Sequence, residues 1–345
     1  MPTPAEQLSG VTLNGGWVVG KLIPRIAGHT GGYFSSSYHV IDGTGKPAFL
    51  KAMDYTRALS SPDPAAALNA MTNAYLFERN ILQECAEKKM SRIVRAIEAG
   101  KVILNGTDPV EYLIFELASG DIRTYLDAIA TFDLKWTLSC LHNIFVGIQQ
   151  LNSARIAHQD LKPSNVLTFA SEGEKIADLG RAWHSLESSP HDHINCAGDK
   201  AYAPPELLYG YPPADENERR YGADFYLLGS MVLFLFTGMR ATTFLMNDLD
   251  PSHYPTNWHG SYQDVLPYLE HAFSENLVTL NGSFADKNLG KEIVSVIGQM
   301  CHPNIALRGD MAHKAIHGSR FGLQRFISLF DRLRLQAALG RMKYP

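Results

Sequence analysis

His158, Asp160, Lys162 and Asn165 lie together in the stretch HQDLKPSN, residues 158–165. An aspartate aimed at an alcohol can orient the hydroxyl and accept its proton while a bond to phosphorus develops. The ammonium of Lys162, two residues on, could offset charge on a transferring phosphoryl group. Asn165 offers a neutral carbonyl oxygen, a ligand type suited to a hard cation such as Mg2+. Further along, Asp178-Leu179-Gly180 supplies a carboxylate ahead of a flexible glycine, a second candidate metal ligand. Upstream, Lys51 falls in a predicted strand and Glu78 on the helix that follows, a pair that would steady an ammonium against nucleotide phosphates. The turn from Gly28 to Ser37 could lay backbone amides over the same anion. Taken alone, a turn of that composition more often only reverses the chain. Together these parts describe positioning and neutralising a phosphate while a hydroxyl attacks it.

Groups so far apart in sequence need a scaffold to gather them. The chain has 345 residues, 45% hydrophobic and 19% charged, enough for a large core in two parts of unequal size. Strand-like runs occupy 17–23, 38–41 and 48–55, the last two separated by the turn signal DGTGKP. Pro62 and Pro64 open a helical pattern whose apolar face includes Leu68, Met71, Tyr75, Ile81 and Leu82. Two more strands are expected near 93–104 and 110–117. After Ser119-Gly120 helices take over, at 121–130, at 133–154 and from about 221 to the end, with a polar, proline-containing interruption at 247–267. The expected fold class is α+β: a small β-rich lobe with one main helix over residues 1–119, and a larger, mostly helical lobe over 120–345.

Composition narrows the partners. A net charge of -4 gives the whole chain no attraction to nucleic acid or to an anionic membrane, although seven Lys/Arg face only Asp331 from Met311 onward. Cys85, Cys140, Cys196 and Cys301 are widely spaced without a CxxC, which argues against a disulfide framework and fits a reducing cytoplasm. The N-terminus has no basic stretch leading into an apolar one. The longest apolar run, Tyr226 to Met239, is shorter than the roughly 20 residues a membrane span needs, and reads as a helix inside a core. His191, His193 and Cys196 could recruit zinc, but three clustered ligands fit a solvated loop better than a closed site. Phe326, Ile327, Leu329, Phe330 and Leu333, beside Arg320, Arg325, Arg332 and Arg334, form an amphipathic helix that fits core packing better than a membrane contact.

In the order and spacing of these motifs the chain resembles the eukaryotic-like (Hanks-type) protein kinases over about residues 17–310. The resemblance implies a bilobal kinase fold, with ATP and Mg2+ as cofactors and a serine or threonine hydroxyl of a protein as acceptor. It implies that Asp160 is the catalytic aspartate and Lys162 its companion, the latter favouring Ser/Thr over tyrosine. Asn165 and Asp178 match the metal ligands, and Lys51 and Glu78 the pair that places the phosphates. Thr30 and Gly32 fall in the glycine-loop positions; Glu116 and Ala118, in Phe115-Glu116-Leu117-Ala118, fall where adenine is received, and Leu167 lies under the base. Tyr202-Ala203-Pro204-Pro205-Glu206 matches the end of the activation segment, Asp224 the residue that anchors the catalytic loop, and Arg308 the partner of Glu206. His158 matches a structural residue in an apolar stack with Leu179 and Leu82. With no membrane anchor or sensor domain in view, the signal is expected to arrive through a regulatory partner or the chain's own concentration.

The chain also departs from the family pattern. Thr30, Gly32 and Ser35 stand where three glycines are usual, Ser37 where a valine packs on adenine, and Phe49 where an alanine does. Gln159 replaces an arginine that grips a phosphate on the activation segment, and a neutral amide cannot make that charge-assisted pair. Phosphorylation there is therefore not expected to be the obligatory switch, although Ser185, Ser188 and Ser189 remain open to modification. Asp199 replaces a threonine and could either pair with Lys162 or repel Asp160. Two alternatives to an active protein kinase stay open: a pseudokinase scaffold, in which Phe49 and Ser37 spoil nucleotide binding, and a small-molecule phosphotransferase, against which Glu206 and Arg308 argue.

Overall fold

The computed structural model describes residues 2–24, 35–106, 108–129 and 131–342. Thr30 and Gly32 lie outside the described residues. Two compact units emerge, Met1–Ile122 with Leu167–Gly180, and Arg123–Val166 with Arg181–Pro345. Residues 167–180 thus return to the first unit, an exchange that a single boundary in the sequence does not express.

The first unit is built on an antiparallel sheet of β1 (Val18–Ile23), β2 (Ser35–Ile41), β3 (Pro47–Met53), β4 (Ala96–Leu104) and β5 (Asp108–Glu116), in the order β1-β2-β3-β5-β4. Successive side chains of a strand point to opposite faces. In β3 this buries Ala48, Leu50 and Ala52 on one side and leaves Phe49 and Lys51 on the other. The buried side is closed by the chain before β1: Ala5, Leu8, Leu13 and Trp17 join Val19, Tyr38, Leu50, Tyr112 and Ile114 in one apolar cluster. The Tyr38 hydroxyl donates to the Ala5 carbonyl at 2.7 Å, so a buried phenol finds a partner in that segment. No periodic pattern in the first 17 residues signals this covering role.

Helix α1 (Pro64–Glu87) starts as its sequence suggests, with Pro64 in the first turn and Asp63 accepting the Ala66 N–H at 3.0 Å. It buries Tyr75, Phe77, Ile81, Leu82 and Cys85, and with them Glu78. A second, three-stranded sheet joins Gly120–Asp121, Val166–Phe169 and Gly173–Ile176. Ile176 is tied to the end of the α1–β4 connection, accepting from Val94 N–H and donating to the Arg92 carbonyl, both at 2.8 Å.

The second unit is organised around one interior helix. Its main helices are α2 (Leu134–Ser153), α3 (Glu216–Thr237), α4 (Tyr262–Ser283), α5 (Lys287–Met300) and α6 (Gln324–Ala338). Every residue of α3 from Gly222 to Leu233 is buried, the signature of a helix surrounded by protein. It begins five residues before the expected 221, because Asp215 caps it by accepting the Glu218 N–H at 2.8 Å and its polar first turn carries no apolar stripe. Helix α4 likewise starts inside the stretch expected to interrupt the helices: Ser261 and Asp264 form a capping box, and Pro267 is accommodated near the start. The basic tail helix α6 is a core element, with Phe330 and Phe326 at 4.8 and 6.2 Å from the Phe145 ring of α2. Among the described residues, no helix is long and apolar enough to cross a membrane.

Arg308 and Glu206 meet in a bidentate pair at 2.7 and 2.8 Å, with side chains 0% and 3% exposed. The Arg308 Nε also donates to the His302 carbonyl at 3.0 Å, and the guanidinium lies over the Tyr226 ring. Removing one member of such a pair strands a charge away from water. Arg308→Met is therefore expected to lower stability by about 3–5 kcal/mol in urea unfolding. The double variant Arg308→Met/Glu206→Leu should recover at least half of that loss; equal losses in the single and double variants would refute the pairing energy.

Candidate active site

In the first unit, the pleat that buries Leu50 and Ala52 sets Lys51 on the opposite face, where α1 presents Glu78. The Lys51 ammonium lies 2.8 Å from Glu78 Oε1, 3.0 Å from Oε2 and 3.5 Å from Asp178 Oδ1. Burial alone would depress the Lys51 pKa, but the Glu78 and Asp178 carboxylates outweigh it and hold it above the usual lysine value. The ammonium is thus kept charged and pointed by two carboxylates. Asp178 adopts a left-handed backbone, φ 60°, uncommon for a residue with a Cβ.

The residues expected around adenine show mixed placements. The Glu116 side chain is turned away into a structural network, where Oε1 accepts from Lys175 Nζ at 2.8 Å and from the Arg95 N–H at 2.9 Å. Lys175 is itself buried and also pairs with Glu172. Leu167 pairs with Asp121 and is half-buried, as is Ala118. Phe49 lies on the Lys51 face of β3, opposite Phe115, and Ser37 stands directly across from Lys51.

In the second unit, the loop carrying Asp160 hangs from α3. The buried Asp224 carboxylate accepts the His158 N–H at 2.6 Å on Oδ2 and the Gln159 N–H at 2.8 Å on Oδ1. Burial pushes the Asp224 pKa up, against the pull of His158 and these N–H groups. Gln159 is left-handed, φ 67°, a conformation that costs about 1–2 kcal/mol for a residue with a Cβ. The two hydrogen bonds hold it there. His158 is fully buried and its Nδ1 accepts the Asp160 N–H at 3.2 Å, so the ring has a structural job.

The Asp160 carboxylate is surrounded by donors. Lys162 Nζ lies 3.0 Å from Oδ2, Asn165 Nδ2 reaches Oδ2 at 3.1 Å and the Asp160 carbonyl at 2.8 Å, and the Asp199 N–H donates to Oδ1 at 2.8 Å. Asp199 also pairs with Lys162, at 3.5 Å. Of the two outcomes open for Asp199, the pairing is present, and its backbone serves Asp160 as well. Gly198 permits this approach, because a Cβ there would sit 2.2 Å from the Gln159 carbonyl oxygen. Asp160, Lys162 and Asn165 are thus brought together in one unit, and Lys51, Glu78 and Asp178 in the other.

Of the His191, His193, Cys196 set, His191 and Cys196 have other contacts. An Arg181 guanidinium nitrogen lies 3.3 Å from the His191 ring, and the Cys196 thiol, its pKa raised first by burial, points at the Gly198 carbonyl at 3.8 Å. Among the described residues there is no group of three or more His, Cys, Asp or Glu side chains able to hold a metal ion. Ser189 is buried with its hydroxyl donating to the Ala182 carbonyl at 3.0 Å, whereas Ser185 and Ser188 are exposed. The sequence reading missed Arg220 and Lys175. Only one signal pointed to Arg220: it lies one helical turn before Asp224, on the same face.

The sequence model of the protein kinase domain matches residues 30–315. The chain is 27% identical to a probable cell division protein kinase of Encephalitozoon cuniculi over 187 residues, 54% of each chain. It is 27% identical over 217 residues to serine/threonine-protein kinase PLK4 of Drosophila melanogaster, covering 59% of this chain and 25% of that one. It is 26% identical over 147 residues to a probable serine/threonine-protein kinase, pknA2, of Bifidobacterium longum, covering 42% of this chain and 18% of that one. The chain thus spans about half the length of the first relative and a quarter or less of the other two.

Asp224→Asn tests the loop anchor. An asparagine offers one oxygen to two converging N–H groups and turns its own N–H2 against the other. The expected result is a stability loss of about 1–3 kcal/mol and faster amide hydrogen exchange at His158 and Gln159 than at the rest of the unit. Unchanged exchange at those two amides would exclude the anchoring role.

Proposed function

The chain belongs to the protein kinase domain family, and on that footing we propose that it transfers the γ-phosphoryl group of ATP to serine or threonine hydroxyls of a protein substrate. In this reading Asp160 orients the acceptor hydroxyl and takes its proton, and Lys162 offsets charge on the phosphoryl group. Lys51, held by Glu78, binds the nucleotide phosphates. Backbone groups of Glu116 and Ala118 would receive the adenine, with Leu167 beneath it, and Thr30 and Gly32 would bind the phosphates. Support for a hydroxyl acceptor on a protein comes from Lys162 in the loop and from relatives named as serine/threonine-protein kinases.

In this reading Asn165 and Asp178 would each offer an oxygen donor to Mg2+. The Asn165 amide nitrogen is committed to Asp160, its Oδ1 is a neutral oxygen that also accepts from the Ser164 hydroxyl at 3.3 Å, and the Asp178 carboxylate is half-exposed. Both are hard oxygen donors of the kind this ion prefers. When bound, Mg2+ would neutralise charge on the phosphate oxygens.

The observation that carries this proposal is the Asp160 carboxylate, met by Lys162, Asn165 and the Asp199 N–H together. A second reading, a pseudokinase scaffold that neither binds nucleotide nor turns over, draws on Phe49 and Ser37, which flank Lys51 on the face where a purine would lie. Incubation with labelled ATP and a mixed protein substrate separates the two. Asp160→Asn is expected to lose about 10²–10⁴-fold in phosphate transfer while remaining folded by circular dichroism, and the mapped products of the parent should be phosphoserine and phosphothreonine. A parent protein that shows no transfer and no thermal shift with Mg-ATP would favour the scaffold.

A further inference from the structure

Arg220, in the first turns of α3, is 1% exposed, and a guanidinium so far from water needs partners on every side. Its Nε pairs with Glu216 of its own helix at 3.1 Å. The other two nitrogens leave the helix. Nη2 donates to the Asp192 carbonyl at 3.1 Å, with Asp192 Oδ1 at 3.9 Å, and Nη1 reaches Gln159 Oε1 at 3.5 Å. Gln159 answers with its Nε2, which donates to the Arg220 carbonyl at 2.8 Å. One side chain therefore joins the segment that follows Arg181 to the residue next to Asp160.

Asp192 is suited to this contact. Its Oδ2 accepts the Ser189 N–H at 2.9 Å, while Oδ1 is shut off from water and accepts no hydrogen bond. A dehydrated carboxylate oxygen is stabilised by a nearby cation, and Arg220 lies within ion-pair reach. Ser189 is tied in turn to the Ala182 carbonyl, so it links Asp192 back to the start of this segment. The identity of Gln159 follows from the same geometry. A cationic side chain at that position would face the Arg220 guanidinium at about hydrogen-bond distance, where like charges repel. A neutral amide instead accepts from Arg220 and donates to its carbonyl. The cation has been placed on the helix, not on the loop.

We propose that Arg220 is a positioning residue for phosphoryl transfer: it couples Asp192 to Gln159 and so fixes the segment beside Asp160 with a built-in carboxylate, without a phosphate. The effect on transfer rests on the kinase reading above; the brace itself does not. Asp192→Asn tests it, since asparagine keeps an oxygen for Ser189 and removes only the charge on a half-exposed side chain. The expected result is at least about fivefold faster tryptic cleavage within residues 181–200, the lower end for coupled sites. A comparable fall in kcat should accompany it, with the KM for ATP and the thermal midpoint unchanged. Arg220→Gln should lose activity, and the exchanged pair Arg220→Gln/Gln159→Arg should regain part of it. Parent enzyme freed of phosphate by a phosphatase, verified by intact mass, should keep its activity. Loss of activity on dephosphorylation, or parental cleavage and kcat in Asp192→Asn, would overturn the proposal. If the parent transfers no phosphate yet Asp192→Asn is cleaved faster, the kinase reading fails while the brace stands.

Discussion

A single buried carboxylate, that of Asp224, receives the backbone N–H groups of two consecutive residues, and the geometry of the Asp160 loop depends on it. Desolvation makes an ionised carboxylate costly in the interior, and backbone N–H groups are equally costly when unpaired. Each cancels the penalty of the other only if the loop adopts one conformation, with Gln159 left-handed. The backbone direction of the neighbouring Asp160 is thereby set by contacts other than those of its own side chain. Asp199, Lys162 and Asn165 complete the arrangement from the next residues and from the segment that follows.

The position of Asp224 explains why the anchor is stiff. It sits in the stretch of α3 that is buried without interruption, so the helix that holds the loop is itself held on all sides. Arg308 and Glu206 add a second fixed point, because Glu206 belongs to the segment downstream of Asp199 and Arg308 to a loop after α5. Lys51, Lys175, Arg220 and Arg308 are all partly or wholly withdrawn from water and each is matched to a carboxylate. Exposed pairs such as Arg332–Glu292 add little by comparison, since water and salt screen them.

Asp199 shows how one substitution shifts roles within an otherwise familiar set. Its backbone N–H stabilises the Asp160 carboxylate, and its side chain shares the Lys162 ammonium with Asp160. Lys162 is thereby fixed between two anions instead of one. Gly198 makes room for the approach, so the pair Gly198-Asp199 acts as a unit pressed against Gln159 and Asp160.

Much of this was legible in the sequence because it is carried by local signals. A strand-like run held Lys51; Pro62 and Pro64 marked the approach to α1; and the spacing of Asp160, Lys162 and Asn165 placed three groups on one short loop. Contacts set by position along the chain could be read; contacts set by folding could not. The covering of the sheet by the first 17 residues, the turning of Glu116 toward Lys175, and the choice of Asp199 between its two neighbours depend on which distant segments meet. So does Arg220, whose partners lie 28 and 61 residues away in the chain. The sequence by itself determined most of the elements and the residue types offered by the candidate site, since periodicity and residue type are local properties. Only the tertiary structure decided which buried charges pair, because that depends on which groups lose water together.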